Sequence, residues 1–361
     1  MALCLTGLIL GAAAPIRIGS VFAETGVAAE DNRPSITGAR EAVAELNRDG
    51  GVLGRKLELM VFDNLSTPIG SKLAVEQAVA AQASAIIGAA WSSHTLAMAP
   101  IAQAHRTPLI TTISTHGAVT LAGDCVFRMC FLDAFQGEVM ARFAREALHA
   151  RTAVSVSDLA SDYAADLSRE FEQDFRKAGG EIVGKLRYRI NQASFTELAG
   201  QVRALNPDVV FIPGYWDSAV IIKAILASGC ATIPLGGDGW GTRQFYSLGG
   251  NAIPRAYFCT HWAEDSSSAK SKAFVAKYKR GAEPMDSQEA LAYDAVYLLA
   301  GAIRRAGSAE REPVREAIAA TRAFVGVTGR VSFQDRRDPS RSAVIVEIKD
   351  GKPHFYKSVQ P

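Results

Sequence analysis

IRIGSVFA at 16–23, ITGAREAVAELNRDGG at 36–51, KLELMVFDN at 56–64 and PIGSKLAVEQAVAAQ at 68–82 read in turn as strand, helix, strand and helix. That alternation implies a parallel, doubly wound α/β sheet. Asn47, Asp49, Gly50 and Gly51 stop the first helix as glycine-rich C-caps do, and GVLGRK turns the chain into the second strand. The units continue with the strand SAIIGAA (84–90), the helix SSHTLAMAPIAQAH (92–105) and the apolar strand PLITTIS (108–114). Together these make one lobe.

A second series starts at AFQGEVMARFAREAL (134–148). It runs through strands TAVSVSDL (152–159), EIVGKLRYR (181–189), PDVVFIPG (207–214) and TIPLGGDG (232–239), with helices YAADLSREFEQDFRKAG, FTELAGQVRAL and SAVIIKAILASG between them. After AYFCTHW (256–262) come two long helical stretches, SKAFVAKYKRG and QEALAYDAVYLLAGAIRRAG. RVSFQD (330–335) and AVIVEIKDGKPHFYK (343–357) close the chain as a β-hairpin with Asp350-Gly351 at its turn. No low-complexity linker separates the halves, so several chain crossings, and hence a hinge, are expected between two lobes.

The 361 residues are 48% hydrophobic, enough for two domains with their own cores. Lys and Arg number 39 against 37 Asp and Glu, which leaves no footprint for a polyanion and argues against nucleic acid as a partner. Residues 1–14, MALCLTGLILGAAA, are apolar, uncharged and end in small residues, like the core and cleavage site of an export signal. The stretch is shorter than the roughly 20 apolar residues of a membrane span. Cys4 does not complete a lipoprotein box, so a secreted form is expected over a lipid-anchored one. Cys125, Cys130, Cys230 and Cys259 read equally as buried thiols or as including one disulfide, and no metal-ligand spacing accompanies them. No metal and no cofactor are expected.

The order of these segments resembles the type I periplasmic binding proteins, specifically the branched-chain amino acid (Leu/Ile/Val) binding family of ABC transporters. The resemblance is carried by TGVAAEDNRPSITGAREAVAELNRDGGVLGRKLELMVFDN (25–64), IIGAAWSSHTLAMAPIAQ (86–103), VFRMCFLDAFQGE (126–138), NPDVVFIPGYWDSA (206–219), PLGGDGW (234–240), LAYDAVYLLAGAI (291–303) and FVGVTGRVSF (324–333). It implies two lobes joined by a three-crossing hinge, the first from 15–134 with 262–325 and the second from 135–261 with 326–361. It also implies a membrane permease and ATPase subunits as partners, an extracytoplasmic location, and closure on an amino acid or a related small molecule, with a monomer as the default.

Ligands of open α/β sheets sit outside the carboxyl ends of strands, where helix N-termini suit an anion. Trp91 to Thr95 is such a loop, and its hydroxyls can either cap the helix or bind a carboxylate. The resemblance implies Ser92 and Thr115 as carboxylate contacts and the Ile113 carbonyl as an ammonium acceptor, while His116 is unexplained. Asp238, flanked by glycines, is either a turn residue or the anchor of an α-ammonium, and the resemblance implies the anchor. The resemblance implies Tyr163 and Tyr215 as aromatic contacts, with core packing the alternative; Trp216, Trp240 and Trp262 are weaker candidates. Two departures from the leucine pattern bear on specificity. Trp91 is large where leucine-binding relatives carry a small residue. Glu30 and Asp31 fall near an aromatic lid position, where acids could meet a basic ligand side chain, although a solvated acidic loop is the expectation.

Enzyme readings lack their motifs. GSVFAETGVAA after the first strand is not a Gly-x-Gly-x-x-Gly turn, and there is no Gly-x-Ser-x-Gly elbow, phosphate-binding Gly-Lys-Ser/Thr loop or His-Glu-x-x-His helix. A ligand-sensing module for a receptor or regulator, or a binder of a non-amino-acid carboxylate, remains the alternative.

Overall fold

The computed structural model describes residues 13–333 and 337–361. The first lobe begins β1 (Ile16–Phe22), α1 (Ala29–Arg48), β2 (Leu57–Asp63), α2 (Pro68–Ala80), β3 (Ala85–Gly88), α3 (Ser92–Ala104), β4 (Leu109–Thr111) and β5 (Val126–Arg128). Its strands form a parallel sheet in the order β2-β1-β3-β4-β5. The second lobe follows with α4 (Asp133–Glu146), β6 (Thr152–Asp158), α5 (Asp162–Lys177), β7 (Glu181–Tyr188), α6 (Thr196–Leu205), β8 (Val209–Phe211), α7 (Asp217–Ala227), β9 (Ile233–Gly236), α8 (Arg243–Gly249) and β10 (Arg255–Thr260). The chain then returns to the first lobe through α9 (Ala269–Tyr278), α10 (Ser287–Ala306), α11 (Arg311–Ala319) and a ribbon of β11 (Phe324–Gly326) with β12 (Gly329–Val331). It ends in β13 (Ala343–Lys349) and β14 (Lys352–Val359), which extend the second sheet to β14-β13-β10-β9-β8-β6-β7.

Each sheet is covered on both faces, as a parallel sheet must be. Ile18, Ile87, Ile110 and Phe127 pack under α1 and α10, while Val21, Ile86, Leu109 and Val126 face α2 and α3. In the second lobe Val154, Val210 and Phe258 face one way and Ala153, Val209, Phe211 and Tyr257 the other. Gly38 lets α1 approach α10, since a Cβ there would lie 2.0 Å from the Glu289 carbonyl oxygen.

Three local expectations change. The first helix starts at Ala29, not at 36, and carries Pro34 within it. Pro34 has no N–H to donate to the Glu30 carbonyl, and the loss falls near the end of the helix, where backbone pairing is incomplete in any case. RVSF does not join the terminal hairpin: β12 pairs with β11, and Val331 and Phe333 pack in the first lobe's core. The second sheet is also not wholly parallel, because β13 runs antiparallel to both β10 and β14. Turn chemistry explains the last pair: Asp350 and Gly351 both take positive φ, 51° and 75°, the primed turn a two-residue hairpin requires.

The expected export signal, 1–14, lies almost entirely outside the described residues. No helix among the described residues is long and apolar enough to cross a membrane. Cys125, Cys130, Cys230 and Cys259 are all buried and unpaired, which takes the thiol reading. Burial pushes the Cys125 and Cys130 thiols up to about 11 and about 12, so neither is a ready nucleophile.

Candidate ligand-binding site

The loops past β3, β4, β6, β8 and β9 converge where the two lobes meet. Trp91 precedes α3 and Ser92 is its first residue; no side chain caps this helix, the His94 and Thr95 N–H groups donate to the Trp91 carbonyl, and the positive end of the helix dipole lies at Ser92. Ser92 is buried, and its hydroxyl accepts a 3.4 Å hydrogen bond from the His116 backbone N–H instead of capping. Thr115 is fully buried and its Oγ1 has no well-formed hydrogen bond, although it lies close enough to Asp133 to weigh on that carboxyl. Ile113 is buried with its side chain in the first lobe's core.

From the second lobe come Tyr163 in the first turn of α5, Tyr215 after β8 and Asp238 after β9. The Gly239 N–H donates to the Tyr163 hydroxyl at 3.3 Å. The Tyr163 and Tyr215 rings are 5.4 Å apart, and Tyr215 lies against Trp91 with ring centroids 4.3 Å apart, so the stack crosses from lobe to lobe. The glycines beside Asp238 are required by space: a Cβ on Gly239 would lie 2.4 Å from the Gly214 carbonyl oxygen, and one on Gly237 2.4 Å from the Tyr163 hydroxyl. Trp240 and Trp262 are core residues, donating to the Ile212 carbonyl and to Ser271 Oγ. His116, unexplained by sequence, belongs to a latch: the Gly117 N–H donates to Asp166 Oδ2 of α5 at 3.2 Å, with the His116 ring beside it.

Two residues that sequence reasoning missed hold Asp238 in place. Gln136 Nε2 donates to Asp238 Oδ1 at 3.0 Å and to Asp133 Oδ1 at 2.8 Å, and its Oε1 accepts from the Asp238 N–H. His261 Nε2 donates to Asp238 Oδ2 at 3.1 Å, and burial pushes its imidazole pKa down against the pull of that carboxylate. The spacing of Asp133 and Gln136 on one helix face was a usable signal for Gln136; nothing local announced His261. Burial, reinforced by the Asp238 charge, pushes the Asp133 carboxyl far up.

Asp31 overturns the expectation of a solvated acidic loop. Glu30 is exposed and pairs with Arg33 at 2.6 Å, but Asp31, in the first turn of α1, is 1% exposed. Its Oδ2 accepts from Trp91 Nε1 at 2.7 Å and from Asn32 Nδ2 at 3.3 Å. Burial pushes its carboxyl up to about 6 against the opposing donors Trp91, Gln288 and Asn32. At the mouth of the cleft, α1 and α8 border a cavity of about 550 Å³ carrying Glu30, Arg33, Glu41, Arg243, Arg280 and Glu289.

Two α/β lobes meet over stacked rings, with hydroxyls and a helix N-terminus on one side and a buried acid on the other. The sequence matches the periplasmic binding protein family over residues 15–353, and the chain belongs to that family. It is 32% identical to a leucine binding protein from Thermotoga maritima, whose structure superposes with a TM-score of 0.90 over 96% of this chain and 99% of that one. It is 29% identical to the branched-chain amino acid transporter substrate binding protein of Streptococcus pneumoniae, solved with isoleucine, at a TM-score of 0.89 over 96% and 100%. The leucine-, isoleucine-, valine-, threonine- and alanine-binding protein of Pseudomonas aeruginosa is 25% identical over 91% of this chain and 88% of its own.

Proposed function

We propose that this chain is the extracytoplasmic, non-enzymatic substrate-binding component of an ABC-type uptake system, delivering an amino acid or amino-acid-like molecule to a membrane permease and its ATPases. One observation carries the reading: the groups suited to a carboxylate, Ser92, Thr115 and the N-terminus of α3, belong to one lobe, while Asp238, suited to an ammonium, belongs to the other. A zwitterion bridges them, and a molecule that touches both lobes stabilises the closed arrangement. In this reading the Ile113 carbonyl shares the ammonium, and Trp91, Tyr163 and Tyr215 form the walls. Asp238 retains room for an ammonium, because each of its oxygens accepts one donor and a carboxylate offers about four acceptor sites.

The test is calorimetric titration of the protein with the common amino acids and with benzoate as a carboxylate lacking an ammonium. Saturable heat from at least one amino acid supports the reading. Heat from benzoate alone, or from none, overturns it.

A further inference from the structure

The sequence singled out Asp31 for its charge, and the proposed function leaves that carboxylate unused. It lies on the first lobe, but it does not stand apart from the second: its Trp91 partner is stacked on Tyr215, and its charge acts on both Tyr215 and Asp238. Asp31 Oδ2 is taken by Trp91 and Asn32, whereas Oδ1 is buried without a well-formed hydrogen bond. The neutral amide of Gln288 also acts on this carboxyl, favouring its charged form. Among the described residues, no Lys or Arg pairs with Asp31, Asp133 or Asp238; His261, whose imidazole pKa burial pushes down, is the one basic group in contact with any of them. Nor, among the described residues, do three or more acids or histidines gather so as to hold a metal ion.

A carboxylate kept dry and half-satisfied is costly unless a charge meets it. An alkyl side chain laid beside Asp31 would leave Oδ1 as it stands; a cation would satisfy it. The aromatic faces of Trp91 and Tyr215 beside it favour a cation as well.

We propose that the ligand carries a second positive charge, an ammonium or guanidinium on its side chain that pairs with Asp31 Oδ1, which makes the substrate class a basic amino acid. The assignment rests on the amino-acid reading of the cleft, with Asp238 taking the α-ammonium and Asp31 the side-chain cation. It separates this chain from relatives whose names specify leucine, isoleucine and valine.

The experiment titrates the full chain with L-lysine, L-ornithine and L-arginine against L-leucine and L-norleucine, the last matching the lysine stem without its ammonium. The expected result is at least about tenfold tighter binding of a basic amino acid than of norleucine, the scale of a buried charge pair. Asp31→Asn is expected to remove that preference while norleucine binding persists. If leucine or norleucine binds as tightly as the basic amino acids, or if Asp31→Asn leaves the ratio unchanged, the assignment is wrong while the amino-acid reading stands. If no amino acid binds, both fall together. Should Asp31→Asn fail to fold, the wild-type ratio of lysine to norleucine carries the test, because it must shrink between about pH 8 and about pH 5 as Asp31 takes a proton. The groups around Asp31 that enter this comparison are Trp91, Asn32, Gln288, Asp238 and Asp286. Those acting on the ligand's α-groups cancel between lysine and norleucine.

Discussion

Trp91 of the first lobe lies flat on Tyr215 of the second, the planes 6° from parallel and the ring centroids 4.3 Å apart. The same indole donates from Nε1 to Asp31 at 2.7 Å, so one side chain ties the acid of α1 to the aromatic wall of the opposite lobe. Offset aromatic stacking of this kind contributes about 0.5–1.5 kcal/mol beyond the area it buries.

Trp91→Ala removes both the stack and the hydrogen bond to Asp31. The ligand-free protein is expected to spend more of its time open, which small-angle scattering reads as a larger radius of gyration than wild type. An unchanged radius, with unchanged compaction on adding amino acid, means the stack does not hold the lobes together.

Asp238 has two duties that substitution can separate. Asp238→Ala removes the proposed ammonium anchor and strands the donors of Gln136 and His261, so both affinity and stability fall, by about 2–5 and about 1–3 kcal/mol respectively. Asp238→Asn keeps an acceptor for one of the two donors but loses the charge. Its melting temperature is therefore expected to lie closer to wild type while amino-acid affinity stays low. Full affinity in the Asn variant, measured by calorimetry, assigns the ammonium elsewhere.

The raised pKa of Asp31 makes a signed prediction for stability. A folded value of about 6 against the usual 3.8 means the folded state holds the proton longer than the unfolded chain. Its contribution therefore declines as pH rises towards and through 6, by about 1 kcal/mol between pH 5 and 7. His94, whose burial brings its pKa down to about 4, and His261, also lowered, act with the opposite sign over this range, since the unfolded chain binds their protons first. The comparison that isolates Asp31 is thus wild type against Asp31→Asn: denaturant titrations should show the variant gaining on wild type by about 1 kcal/mol from pH 5 to 7. A constant difference means Asp31 titrates as a solvated acid.

The order of strands and helices was readable because each βα unit is written locally, in apolar runs punctuated by glycine, asparagine and aspartate. Ser92 and Asp238 could be chosen for the same reason: a residue just past a strand, at a helix start or between glycines, occupies a definable place in any doubly wound sheet. Asp31 could not be read correctly. An acid in the first turn of a helix favours the dipole and reads as solvent-facing, and its burial follows from Trp91 closing over it, a contact made by a residue from another βα unit. Gln136 meets Asp238 across 102 residues of sequence, and His261 reaches it from β10's end, so neither partner of Asp238 is written in its sequence neighbours.

By itself the sequence determined the two α/β lobes, the hairpin at Asp350-Gly351 and the strand ends at which polar residues stand, because backbone propensity, turn geometry and hydrophobic periodicity act over a few neighbours at a time. The tertiary structure alone decided which of those residues share a dry site and in what charge state. Desolvation and pairing depend on atoms brought together from distant parts of the chain, and it is their joint burial that leaves Asp31, Asp133 and Asp238 together with no lysine or arginine against them among the described residues.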